Sequence, residues 1–207
     1  MNTPQVEKEV AGVETENVYT DEEEVRYQTY GAYVTKETST HYTLWNQLLK
    51  EKSRLFATAG SDTHSNLNQY AVTSVYSNKN TTDEDKGEII SFLSGGDFVA
   101  GAVGIQMSVQ TDSEQIPMGG EANFDGNRLV VNVGDFHESV VRDGHKYRVD
   151  IYDNNGLVVR KMITPGQKMN VALTTTTHSG YYRVEVYDMT LGCPIAIGNP
   201  IWNQDWK

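Results

Sequence analysis

The chain has 207 residues, 38% of them hydrophobic and 22% charged, which suits a folded protein with room for one large domain or two small ones. Its net charge of −11 disfavours direct binding to nucleic acid or to an anionic membrane, since both would repel it. The one cysteine, Cys193, excludes a disulfide framework and a cysteine-built zinc site, and within "LGCPIAIGNP" it reads as a small buried filler.

No apolar run approaches the ~18 residues of a membrane span. The start, "MNTPQVEKEV", is charged and lacks the apolar core of a secretory signal. These features read as a cytoplasmic protein, or as a piece of a longer one.

In chain order, "AGVETENVY" (11–19) predicts a short strand and "TDEEEVRYQTYGAYV" (20–34) a helix start, capped by Thr20 or Asp21 with acids in its first turn. Residues 39–54, "STHYTLWNQLLKEKSR", predict the best helix, with Leu44, Trp45, Leu48 and Leu49 on one face. Leu55 to Ala59 is short and apolar and runs into Gly60, the pattern of a buried parallel strand. "YAVTSVYS" (70–77) alternates like a strand. Residues 81–98 predict a helix opened by Thr82 or Asp83, with Ile89, Ile90 and Phe92 or Leu93 as its apolar face and Gly95-Gly96 as its stop.

From about residue 99 the period changes to that of strands. "VAGAVGIQMSVQ", "NRLVVNVGD", "KYRVDIYDNNGLVVRKMIT", "QKMNVALTTTT" and "YYRVEVYDMT" alternate and are separated by Gly, Asn and Asp, which predicts six or so antiparallel strands in a β-sandwich. Asn154, Asn155 and Gly156 predict a hairpin turn with positive φ.

The chemistry concentrates in "ATAGSDTHSN" (57–66). In an α/β unit the ligand-facing groups sit at the carboxyl ends of the strands, which is where Asp62 and His64 fall. A carboxylate and an imidazole at i and i+2 in a strand-end loop can hold one divalent ion or bridge two. Gly60 lets the backbone come close and Ser61 can brace the loop. As plain residues, the pair is a weak signal and reads more readily as an ordinary polar turn. His41, His137, His145 and His178 stand in no ligand spacing and read as solvated or hydrogen-bonded histidines.

"LWNQLLKEKSRLFATAGSDTHSN" resembles the closing segment of a PHP domain, the polymerase and histidinol phosphatase superfamily of metal-dependent phosphoesterases. Trp45, Leu48 and Leu49 match the helix that precedes its last metal motif, Gly-Ser-Asp-x-His. "GVETENVY" resembles the preceding strand, with Glu14 and Asn17 in supporting roles. "IISFLSGGDFVAGAVGIQMSV", "IPMGG", "GYYRVEVYD" and "IGNPIW" resemble the tail of the CehA/McbA-type members, which append a β-sandwich to the barrel. Tyr182-Arg183 and Asn199-Pro200-Ile201-Trp202 are structural signatures in that resemblance. The family's early His-x-His and its other ligands have no counterpart here.

The resemblance implies an α+β chain: a C-terminal remnant of a PHP-like α/β domain over residues 1–98, then an Ig-like antiparallel β-sandwich over 99–207. It further implies a hydrolase fragment with Asp62 and His64 as metal ligands. The complete family site holds divalent Zn, Mn or Fe and takes a phosphorylated small molecule, whereas this chain alone is expected to be inactive and to hold metal weakly or not at all. The alternative is a non-catalytic binding or oligomerisation module, with Tyr147, Tyr152, Tyr181, Tyr182 and Tyr187 as a conceivable aromatic surface. No nucleic-acid or membrane partner is expected. A homodimer is expected to cover the strand edges.

Overall fold

The computed structural model describes residues 12–17, 36–60, 72–75 and 86–206. Its elements begin with β1 (Gly12–Asn17), α1 (Lys36–Lys50), β2 (Phe56–Gly60), β3 (Thr73–Ser74) and α2 (Lys86–Gly95). Ten strands follow: β4 (Val99–Gly101), β5 (Val103–Gln110), β6 (Gln115–Pro117), β7 (Glu121–Ala122), β8 (Arg128–Phe136), β9 (Tyr147–Asp153), β10 (Gly156–Ile163), β11 (Met169–Thr174), β12 (Tyr181–Asp188) and β13 (Cys193–Asn203). The expected helix start over 20–34, its caps Thr20 and Asp21, and the caps Thr82 and Asp83 lie outside the described residues.

The ten late strands and β3 form two mostly antiparallel sheets. One is seven-stranded, in the order β10-β9-β12-β13-β4-β3 with β7 beside β13; the other runs β11-β8-β5-β6. Alternation puts Ile105, Met107 and Val109 of β5 and Leu129, Val131 and Val133 of β8 on one inner face. They pack against Val149, Ile151, Val184, Val186 and Ile195 from the other sheet in a shared buried cluster. This is the sandwich arrangement, with more strands than the six or so expected.

"VAGAVGIQMSVQ" is not one strand. β4 belongs to the seven-stranded sheet and β5 to the four-stranded one, so the chain changes sheets at Ala102. Gly101 makes the corner possible: its φ is +126°, and a Cβ there would lie 2.4 Å from the Ile195 carbonyl oxygen. In the β9–β10 hairpin only Gly156 has positive φ, so Asn154 and Asn155 do not play the part expected of them. The Asp153 carboxylate holds the turn instead, accepting from Asn155 N at 2.7 Å and Gly156 N at 3.0 Å.

Helix α1 ends at Lys50, short of the expected 54, in a Schellman turn with Lys52 at φ 68°. Ser53 N donates to Leu48 O at 2.9 Å and Lys52 N to Leu49 O at 3.0 Å. Trp45 and Leu49 are fully buried, while Leu44 and Leu48 are half-buried. α2 departs further from its sequence pattern. Ile90 is 64% and Leu93 39% exposed, so the predicted apolar face is not a buried one. Its expected Gly stop does hold, with Gly96 at φ +78° against the Phe56 ring.

The early segment joins the sandwich through a second buried cluster. Trp45, Leu49, Leu55 and Ala57 pack there with Ala100, Tyr181, Ile197 and Trp202. No helix among the described residues is long and apolar enough to cross a membrane.

Candidate functional site

β1 and β2 run parallel, with α1 between them in the chain. Such a pair needs a crossover, and a helix is the usual one. The register puts Asn17 opposite Gly60 and Glu14 opposite Thr58, with an irregularity between Glu14 and Glu16 that leaves Thr15 as the extra residue. Both strands therefore end level, and the segments after Asn17 and Gly60 leave from the same edge of the pair. Gly60 closes β2, while Ser61, Asp62 and His64 lie outside the described residues.

Two side chains finish the edge of β2 that β1 does not use. The Asn199 Oδ1 accepts from Ala57 N at 2.6 Å, and its amide nitrogen donates to Phe98 O at 3.3 Å. The Thr73 hydroxyl accepts from Ala59 N and donates to Ala59 O, both at 3.0 Å. A sandwich side chain and a β3 side chain thus satisfy backbone groups that a third strand would otherwise pair.

The second concentration of polar chemistry lies on the seven-stranded sheet, on the face turned away from the sandwich core. β9 reads Tyr-Arg-Val-Asp-Ile-Tyr-Asp (147–153) and β12 contains Tyr-Arg-Val-Glu-Val-Tyr-Asp (182–188), a seven-residue repeat. The strands pair antiparallel with Asp150 opposite Glu185, Arg183 opposite Tyr152 and Tyr187 opposite Arg148. The repeat is thus paired with itself about the two carboxylates.

Its contacts follow the same near-symmetry. Arg148 lies 4.3 Å over the Tyr187 ring and Arg183 4.7 Å over the Tyr152 ring. Each arginine bonds the carboxylate two residues on, Arg148 to Asp150 at 2.9 Å and Arg183 to Glu185. The closing acids, Asp153 and Asp188, both accept backbone N–H groups of the turn that follows. Asp188 also bonds His145 Nδ1 at 2.7 Å, so that histidine has a structural partner.

Asp150 and Glu185 are both fully buried, and like charges set directly opposite repel. Three guanidiniums answer them. Arg160 reaches Asp150 at 2.8 and 2.9 Å beside Arg148. Burial alone would raise the Asp150 pKa, but the bonds from Arg160 and Arg148 prevail and hold it below the usual carboxylate range. At Glu185, α1 supplies the cover: the Tyr42 hydroxyl donates to Glu185, and Arg183 donates to Asn46 Oδ1 at 2.7 Å. One Glu185 oxygen keeps no partner among the described residues.

No family model, no curated protein and no solved structure matches this chain. Among the described residues no set of three or more His, Cys, Asp or Glu is gathered as a metal cage. Of the residues expected to form the site, the structure places Gly60 opposite Asn17 and puts Glu14 on the same strand pair. Of the expected tyrosine surface, Tyr147, Tyr181 and Tyr182 are buried at 1 to 2% exposure, which removes an aromatic trough. The ion cluster was the part that reading by motif missed. The signal that would have found it is the repeated heptapeptide.

The cluster sets an alkaline limit on stability. Burial and the Glu185 charge raise the Tyr42 pKa well above its usual value and push Tyr152 up to about 12. An unfolded tyrosine ionises near pH 10. Above that pH the folded chain keeps protons that the unfolded chain sheds, so stability falls as pH climbs from about 10 towards 12. Urea midpoints should be level between about pH 7 and 9 and drop steeply beyond about 10, with a shallower drop in Tyr152→Phe. An unchanged slope in that variant would remove Tyr152 from the account.

Proposed function

We propose that this chain is the C-terminal part of a PHP-type metal-dependent hydrolase of the phosphoesterase class, carrying its last metal motif at Gly60-Ser61-Asp62-Thr63-His64. The observation that supports this reading is the level ending of the parallel pair β1 and β2. In α/β units that edge is where ligands are held, and the Asp-x-His motif follows β2 directly. The helix crossover and the buried Trp45 fit the same reading.

The donor set fits half of a site. Asp62 and His64 would hold one side of a metal cluster, whereas a catalytic ion usually has three protein ligands and an open position. Further ligands would come from residues beyond these or from a partner chain. When bound, the ions activate a water and hold the phosphate oxygens. Within the chain, β2 would fix the loop's root through Asn199 and Thr73, and the sandwich would serve as the frame against which that root is held.

Titration calorimetry with Mn2+ and with Zn2+ on the intact chain tests the proposal. Weak uptake is expected, reduced at least about tenfold by Asp62→Ala and by His64→Ala, with no turnover of a phosphomonoester by the chain alone. Metal uptake indifferent to both substitutions would overturn the motif assignment. Chelator-sensitive turnover lost in Asp62→Ala would keep the motif and overturn the claim that the chain is inactive alone.

A further inference from the structure

The outer face of the four-stranded sheet carries a feature unrelated to the strand-end motif. Gln106 of β5 stands opposite Asn132 of β8, and Asn132 stands opposite Asn170 of β11. Three side-chain amides thus cross three strands in one row. Neighbouring strands lie ~4.8 Å apart, so the row is a ladder of evenly spaced donors and acceptors. Asn170 donates to Asn132 Oδ1 at 2.6 Å, which orients both amides and leaves the Asn132 nitrogen and the Asn170 oxygen outside that bond.

Two clefts of about 210 Å³ each meet at this row and share Gly104, Gln106 and Asn132 as lining, one continuing to Asn170 and Lys168 and the other to Ser74, Asp97 and Pro117. Gly104 and Gly134 face each other across the strands, so no side chain rises from the floor there. At one end Asp135, in a bulge with φ 50°, meets Lys168 at 3.6 Å. At the other end lie Gln115, bonded to Ser108 at 3.0 Å, and Asp97, whose carboxyl has no partner among the described residues. The Asp97 carboxylate accepts a hydroxyl donor and repels an anion, although burial raises its pKa.

We propose that this groove binds a neutral carbohydrate chain. Amides donate and accept at once, as sugar hydroxyls do, so a row of them pairs with successive hydroxyls without leaving a buried polar group unmatched. The one cation among the described lining residues, Lys168, lies 3.6 Å from Asp135, and the chain's net charge is −11, so a phosphorylated or uronic-acid ligand is disfavoured. Pro117 and Met118 give the Asp97 cleft apolar lining, which suits the C–H faces of a pyranose.

Amide chemical shifts of the intact 207-residue chain, titrated with cellohexaose, maltohexaose, xylohexaose and chitohexaose, test this. At least one should move the resonances of Gln106, Asn132 and Asn170 with a Kd of about 1 mM or tighter. Asn132→Leu, at an exposed position, should keep the rest of the spectrum and weaken that binding about threefold to tenfold. The idea is overturned if none of the four shifts those residues. It is overturned equally if the shifts map elsewhere, if Asn132→Leu leaves them unchanged, or if polygalacturonate binds the groove in their place. None of these outcomes depends on metal at Asp62 and His64.

Discussion

Replacing Arg183 with methionine should destabilise the chain by about 3–5 kcal/mol, the usual cost of leaving one partner of a buried ion pair alone. Glu185 is fully buried and Arg183 is 5% exposed. Burial works against the Arg183 charge, but Glu185 and Tyr42 outweigh it, and its pKa is raised. Without that guanidinium, Glu185 would face Asp150 with only the Tyr42 hydroxyl left to it, and Asn46 would lose its donor.

The double variant Arg183→Met with Glu185→Leu should recover most of the loss, because no buried charge is then stranded. The pseudo-symmetric change, Arg148→Met, should cost clearly less, since Asp150 keeps Arg160 and the Tyr152 hydroxyl. Urea unfolding of the three variants decides the matter. A single Arg183→Met loss no larger than that of Arg148→Met would mean that the cluster is not stranded by removing one charge. A double variant as unstable as the single would mean that packing, not charge, carries the effect.

The strand-rich half was legible because alternation survives wherever one sheet face is wet and the other dry. β8, β9 and β12 all show it, and the inner residues Val131, Val149 and Val184 are buried as the period requires. The parallel unit was legible for a related reason, since a short apolar run behind an amphipathic helix has few other uses. Failures came where a local pattern is silent about tertiary context. Ile90 and Leu93 look like a core face in any helical projection, yet they are exposed, because periodicity does not say which face meets a neighbour. The break between β4 and β5 is hidden because Val99 to Ile105 is apolar throughout, and only the backbone at Gly101 turns it. Gln106, Asn132 and Asn170 stand 26 and 38 residues apart, and register alone aligns them. Arg183 and Glu185 were visible as residues but not as a buried pair, because charged side chains on an alternating strand normally mark its wet face.

Trp45→Ala should cost about 3–5 kcal/mol and should do so in a single transition of the whole chain. Trp45 is fully buried, donates its indole N–H to Leu55 O at 3.1 Å and has Arg183 5.3 Å over its ring. Truncation would open a cavity, orphan the Leu55 carbonyl and remove one wall of the ion cluster. The cavity would be shared, since Tyr181, Ile197 and Trp202 of the sandwich line the same cluster as Leu49 and Ala57 of the α/β unit. If the two parts are held as one body by that core, by Asn199 and by Arg183, damage to either should lower the stability of both. Far-ultraviolet circular dichroism and hydrogen exchange at Val149 and Val184 should therefore shift together, by an amount comparable with that in Ile151→Ala, a control deep in the sandwich. Loss of protection in α1 with an unchanged sandwich transition would show that the two parts unfold separately. The sandwich would then be a fold that carries the α/β unit without being stabilised by it.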